Sequence, residues 1–145
     1  MCYMTVLSTT SSADLTQYST ALVNFSRELP GLAEERFLMH EFKWFIGSRS
    51  GCSCDLRHLS AGSEELGFSE PAEWFPEETE DVEATRMICA IIRRLVSVGE
   101  QVDCVDAWAS DNPVRSPLTD DIEVDLSAVK DTEFRFFERH RFSFT

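Results

Sequence analysis

Two segments of alternating character constrain the fold of this chain more than anything else in it. In Arg36 to Ile46, Leu38, His40, Phe42, Trp44 and Ile46 share one parity, and Phe37, Met39, Glu41, Lys43 and Phe45 the other. In Glu133 to Phe144, Phe134, Phe136, His140, Phe142 and Phe144 share a parity interrupted by Glu138. Arg135, Phe137, Arg139 and Arg141 take the opposite parity. Successive side chains in a strand point to opposite faces, so both segments predict strands with one buried face. A sheet must then form, and something must cover it.

The remaining elements follow from spacing and punctuation. Residues 2–8 are apolar and β-branched and predict a first strand. Leu15, Tyr18, Leu22, Phe25 and Leu29 recur at intervals of three and four, which predicts an amphipathic helix over 12–28, stopped by Pro30-Gly31. Gly47 to Gly51 is turn material, so Cys52 to Leu59 is expected to return as a third strand in a hairpin. Ala84, Ile88, Ile91, Ile92 and Leu95 mark a second helix over 81–98, ended by Gly99. Gln101 to Trp108 predicts another strand, and Asp111, Asn112, Pro113 and Pro117 mark a loop after it. The order β-α-β-β-α-β, with a further C-terminal strand, predicts a ferredoxin-like α+β sandwich: an antiparallel sheet covered by two helices. At 145 residues, with 11 phenylalanines and 3 tryptophans for a core, the chain is expected to be one domain.

Charge narrows the function classes. The net charge is −13, from 26 acidic against 13 basic residues. A nucleic-acid binder needs a basic surface to displace phosphate counterions, so that class is disfavoured, as is docking on anionic membranes. The acidity is localised. Between Arg57 and Arg86 there is no lysine or arginine, while Glu64, Glu65, Glu70, Glu73, Glu77, Glu78, Glu80, Asp81 and Glu83 fall in that interval. Gly62, Gly67, Pro71 and Pro76 make residues 60–80 a long loop. Trp74 and Phe75, set within it, either anchor a partner or pin the loop to the core. An acidic surface steers encounter with a basic one, so the first functional expectation is a non-enzymatic protein binding a basic partner through Trp74, Phe75, Glu77, Glu78 and Glu80. That reading needs no cofactor, and it leaves the oligomeric state open.

The second expectation comes from Gly51-Cys52-Ser53-Cys54 with His58. Two thiolates and an imidazole offer three ligands to zinc, or a thiol poised for redox or nucleophilic chemistry. On a strand, alternate residues share a face, but their Cα atoms stand roughly 6–7 Å apart, at the limit for a disulfide. A bridge there would need a turn. The competing reading places Cys52 and Cys54 in the core, where free cysteine is common. Cys2 is read as the first residue of a strand. His40 and His140 are read as packed strand residues rather than general bases, and the arginines of Arg135, Phe137, Arg139 and Arg141 as partners of the chain's own acidic loop rather than a stacking clamp for an anionic ligand. Five cysteines, an odd number, with no secretory leader and no apolar run of about 18 residues, point to the cytoplasm.

Overall fold

The computed structural model describes residues 2–60, 63–109, 118 and 120–145. The loop expected at Asp111 to Pro117 lies outside the described residues. Eight strands are described: β1 (Cys2–Thr9), β2 (Val23–Ser26), β3 (Phe42–Ser48), β4 (His58–Leu59), β5 (Val102–Ala109), β6 (Asp120–Val124), β7 (Phe136–Phe137) and β8 (His140–Phe144). The α-helix among the described residues is α1 (Thr79–Ser97). Six strands form one sheet in the order β2-β3-β1-β5-β8-β6, and β4 with β7 forms a second, two-stranded one. The pairings in the large sheet are antiparallel except that of β6 with β8, and β4 pairs β7 in parallel.

This is not the ferredoxin-like sandwich. A mixed six-stranded sheet replaces the antiparallel one, and one helix stands where two were expected. The helix expected over 12–28 is instead a 3-10 turn at Leu15–Tyr18 followed by β2. Its side chains explain the change. Asp14 caps Thr16, the Thr20 hydroxyl accepts from the backbone of Leu22 and Val23, and the Ser19 hydroxyl accepts from that of Phe25. Such local bonds give the backbone an alternative to the helical ladder. Part of the stripe is buried, since Leu15 and Phe25 reach the core while Leu29 is exposed, but β2 buries Val23 and Phe25 at a strand's spacing of two.

Three other boundaries moved. The segment from Arg36 begins as a 3-10 turn, Ala33–Phe37, and becomes strand at Phe42. Cys52 to Leu59 is not a hairpin strand: residues 51–56 are bends and turns, and β4 is His58–Leu59. The long C-terminal strand breaks at Glu138-Arg139, where Arg139 has a φ of 61°. β7 turns to pair with β4, while β8 pairs with β5 and β6. The phenylalanine face survives the break: Phe134, Phe136, Phe142 and Phe144 all belong to one core cluster. The acidic run at Asp120 to Glu123 is an edge strand, β6, where charges discourage further pairing.

The core divides by sheet face. Leu7, Trp44, Ile46, Cys104 and Phe142 meet Ala84, Ile88, Ile92 and Leu95 of α1 on one side. Val6, Val105 and Ala107, of opposite parity, pack with Leu32 and Leu38 on the other. The helix follows the expected stripe, with Glu80 and Asp81 in its first turn and Gly99, at φ 92°, closing it. No helix among the described residues is long and apolar enough to cross a membrane.

The acidic loop is held down by a buried charge knot. Arg57 Nη2 and Arg135 Nη2 both donate to Glu77 Oε1 at 2.8 Å. The same guanidiniums donate to backbone carbonyls of Ser69 and Gly67. Burial alone would raise the Glu77 carboxyl pKa, but the two arginines outweigh it and hold it low. Removing one member of such a set strands like charges out of water. Glu77→Ala should therefore lower the unfolding free energy by about 3–5 kcal/mol, whereas exposed Glu78→Ala should change it by less than about 0.5 kcal/mol. Denaturant titration of both variants checks the contrast.

Candidate thiol centre at the end of strand β1

The site is built where β3 stops pairing with β1. β3 covers β1 from Thr5 to Thr9, leaving Cys2, Tyr3 and Met4 paired with β5 alone. The chain leaves β3 at Ser48 and folds back sharply. Ser48 N–H donates to the Cys52 carbonyl at 2.6 Å, and Gly51, at φ 94°, takes a conformation that side-chain-bearing residues rarely adopt. Gly47 is equally constrained, since a Cβ there would sit 3.2 Å from the Gly51 carbonyl oxygen. The turn then takes the place of β3 beside β1: Ser53 N–H donates to Tyr3 O at 2.9 Å, and Thr5 N–H donates to Ser53 Oγ at 2.9 Å.

This fold-back brings three cysteines together. The sulfurs of Cys2, Cys52 and Cys54 all lie within 4.8 Å of one another, and all three residues are half-buried. Cys52 and Cys54 were expected here; Cys2, some fifty residues earlier, was assigned only to its strand. No spacing rule reaches across that distance. The signal sits in the backbone, where the turn docks on Tyr3.

His58 belongs to the site as a strut rather than a ligand. Its Nδ1 meets Asp106 Oδ2 at 2.7 Å and its Nε2 meets the Ser53 carbonyl at 2.5 Å. Both partners offer acceptor oxygens, an arrangement that favours the doubly protonated imidazolium. Burial by itself would lower the His58 pKa, but the Asp106 carboxylate overrides it and the net direction is up. Tyr3 stacks on the ring at 4.1 Å. Asp106 is fully buried and also accepts from Thr5 Oγ1 at 2.7 Å. An aspartate inside the apolar run of β5 was the sequence's one pointer to this arrangement, because a buried carboxylate must be paired.

The three thiols are not equivalent. Burial tends to raise the Cys52 pKa, but hydrogen bonds from Ser50, from the Cys54 backbone and from the Cys54 and Cys2 thiols bring it down to about 7. Cys54 is pushed up to about 12, by burial first and then by its bond to Cys52. The core cysteines differ again: Cys89 is raised to about 12 and Cys104 well above its ordinary value, both chiefly by burial. Low pKa and access together mark reactive thiols, which leaves Cys89 and Cys104 as packing residues. A cleft of about 530 Å³ opens beside the centre, lined by Tyr3, Cys54, His58, Phe75, Glu77 and Asp81.

The residues expected to bind a basic partner are dispersed by role. Trp74 is 74% exposed. Phe75 lies under the Arg135 guanidinium, 5.5 Å away, and packs against the core. Glu77 is locked in the charge knot. Glu78 is the exposed N-cap residue of α1, and Glu80 faces Arg49 at 3.8 Å. His40 donates its backbone N–H to Ser8, and His140 is buried with Nδ1 on the Glu138 carbonyl.

His58 supplies a pH test. Its pKa is higher folded than unfolded, so the His58–Asp106 contribution is complete below about 6.5 and is lost as pH rises through the folded value. Histidine resonances followed by NMR should show His58 titrating above 6.5, its ordinary value. His58→Ala should cost about 3 kcal/mol at pH 6, with the deficit shrinking as the wild type's imidazolium deprotonates.

Comparison with known proteins finds no matching family model, no similar curated protein and no similar solved structure.

Proposed function

We propose that this protein binds a thiophilic metal ion, zinc in the first instance, through Cys2, Cys52 and Cys54. The observation that carries the reading is the mutual approach of three sulfurs within 4.8 Å. Tetrahedral zinc bonds sulfur at about 2.3 Å, which asks thiolates to stand about 3.8 Å apart. The observed approach, within 4.8 Å, is close to that spacing. The rigid turn around Ser53 favours the site, because ligands held by outer-shell hydrogen bonds cost less to order. His58, the expected third ligand, is replaced by Cys2, since both ring nitrogens are already engaged. Three protein ligands leave a fourth position, the arrangement of zinc sites that accept water or substrate. The cleft bordered by Cys54 offers room for one.

Metal analysis of reduced, desalted protein should give about one zinc per chain. Cys52→Ser and Cys54→Ser should each weaken binding beyond the roughly 10–100-fold typical of outer-shell lesions, and Cys89→Ser should not. Because Cys54 holds its proton to about 12, loading must release protons, so affinity should fall as pH drops from 8 to 6. A metal-free protein, or retention by Cys52→Ser, overturns the reading.

A second reading is favoured by the exposure of Trp74 beside acidic residues: a docking point for a basic partner formed by Trp74, Glu78 and Glu80. Aromatic anchors ringed by charge are common at interfaces. Phe75 and Glu77 would support the loop from within rather than touch the partner. Titration with a lysine-rich peptide should show binding that is lost in Trp74→Ala combined with Glu78→Lys and Glu80→Lys. Unchanged binding removes this reading.

A further inference from the structure

The cleft beside the thiol centre has a carboxylate in its wall that the described residues do not satisfy. Asp81, in the first turn of α1, lines the cleft. Its side chain keeps 18% of its surface, and its Oδ1 is enclosed without accepting a hydrogen bond. Arg49 faces it, with Nη2 3.4 Å from Oδ1, but the same guanidinium also serves Asp55 and Glu80, each at 3.8 Å. One positive charge is thus spread over three carboxylates, with no hydrogen bond to any of them among the described residues. Burial pushes the Asp81 carboxyl up, and Asp55 and Glu78 add to that push against the pull of Arg49. Glu78 is exposed and lines the same wall.

Acids in a first turn suit the helix dipole. That accounts for Glu80 and Asp81 standing near the N-terminus of α1. It does not account for a carboxylate oxygen enclosed without a hydrogen bond at the edge of an open cleft, because a buried acceptor left unpaired costs free energy. A cation entering the cleft would meet that need.

The other walls select among cations. Leu56, Phe75 and Pro76 are apolar, and about 530 Å³ is the space of a small organic molecule rather than of a bare ion. A cation on an aliphatic stem lays the stem along such walls and keeps its charged end with the acids. With Oδ1 enclosed, Asp81 has one oxygen, Oδ2, left to present. A guanidinium fork is matched to two parallel acceptors, whereas an ammonium is a point charge that one acceptor suits.

We propose that the cleft binds an alkyl-ammonium group, with Asp81 Oδ2 as its acceptor, Glu78 as a second negative charge, and Leu56, Phe75 and Pro76 along the stem. The group is the side chain of a lysine on another protein or a free aliphatic amine. No thiol and no part of Trp74 enters the site. The proposal therefore stands apart from the zinc reading and shares only Glu78 with the docking point for a basic partner.

The experiment titrates the full, isotope-labelled chain with n-butylamine, with lysine capped at both ends, and with capped norleucine and capped arginine, following the backbone amides by NMR. Both amines should shift the amides of Phe75, Thr79 and Asp81 saturably. Capped norleucine should not, and capped arginine should bind more weakly than capped lysine. Asp81→Asn should weaken amine binding about 10–100-fold, the worth of one charge-assisted hydrogen bond. Glu83→Gln removes an equal charge from the same helix outside the cleft and should leave binding unchanged. Glu78→Gln should weaken binding by less than Asp81→Asn, and it carries the test if Asp81→Asn loses the dispersed spectrum of the fold. Butylamine binding as tightly as capped lysine assigns the free amine, and capped lysine binding tighter assigns the protein side chain. The proposal is overturned if neither amine saturates, if norleucine binds equally, or if arginine binds as tightly as lysine. Unchanged binding in folded Asp81→Asn, or in Glu78→Gln where Asp81→Asn does not fold, overturns it too. Amine binding without binding of the lysine-rich peptide overturns only the docking reading, and peptide binding without amine binding overturns only this one. Zinc content enters none of these readouts.

Discussion

The buried carboxylate of Asp106 organises this protein's candidate site. A charge in the middle of a sheet is tolerable only if fully paired. Thr5 on the neighbouring strand supplies one hydrogen bond and His58 the other. To pair with Asp106, His58 must be brought over the sheet, and its second nitrogen then holds the Ser53 carbonyl. Everything between Ser48 and His58 is thereby fixed: the reversal at Gly51, the docking of Ser53 on Tyr3, and the approach of Cys52 and Cys54 to Cys2. The thiols are placed by an ion pair that touches none of them.

A second buried charge set works on the opposite logic. Glu77 is one carboxylate between two guanidiniums, and the surplus positive charge is met by carbonyls of the loop itself. A segment rich in glutamate is made to fold by arginines 20 and 58 residues away along the chain. Acidic composition therefore says little about which glutamates face solvent. Glu78 is exposed, while the Glu77 side chain beside it keeps 8% of its surface.

What the sequence disclosed depended on the range of the interaction. The helix α1 was legible because period, first-turn acids and terminal glycine all agree within one element. The burial of Phe134, Phe136, Phe142 and Phe144 was legible because parity survives a break in the strand. The region 12–28 misled, because a 3.6-residue stripe and a 3-10 turn followed by a strand bury overlapping residues, and the serine and threonine hydroxyls decide between them. The two-helix sandwich fell with that helix. The Cys52–Cys54 pair was visible, but its geometry was not, since a turn rather than a strand holds it. Cys2 was out of reach, and so was the partner of Asp106, because strand order is what brings these residues to Cys52 and His58.

The register of β1 has a consequence for how the chain matures on the ribosome. Cys2 pairs with Ala109 and Thr9 with Val102, so β1, flanked on both sides in the finished sheet, lacks one of its neighbours until most of the chain has been made. Contacts this distant in sequence are slow to form, and an unpaired apolar strand is prone to stray associations while it waits. The nascent chain exposes Cys2 throughout that interval. A thiol that is half-buried in the native fold is thus fully accessible until its strand is paired.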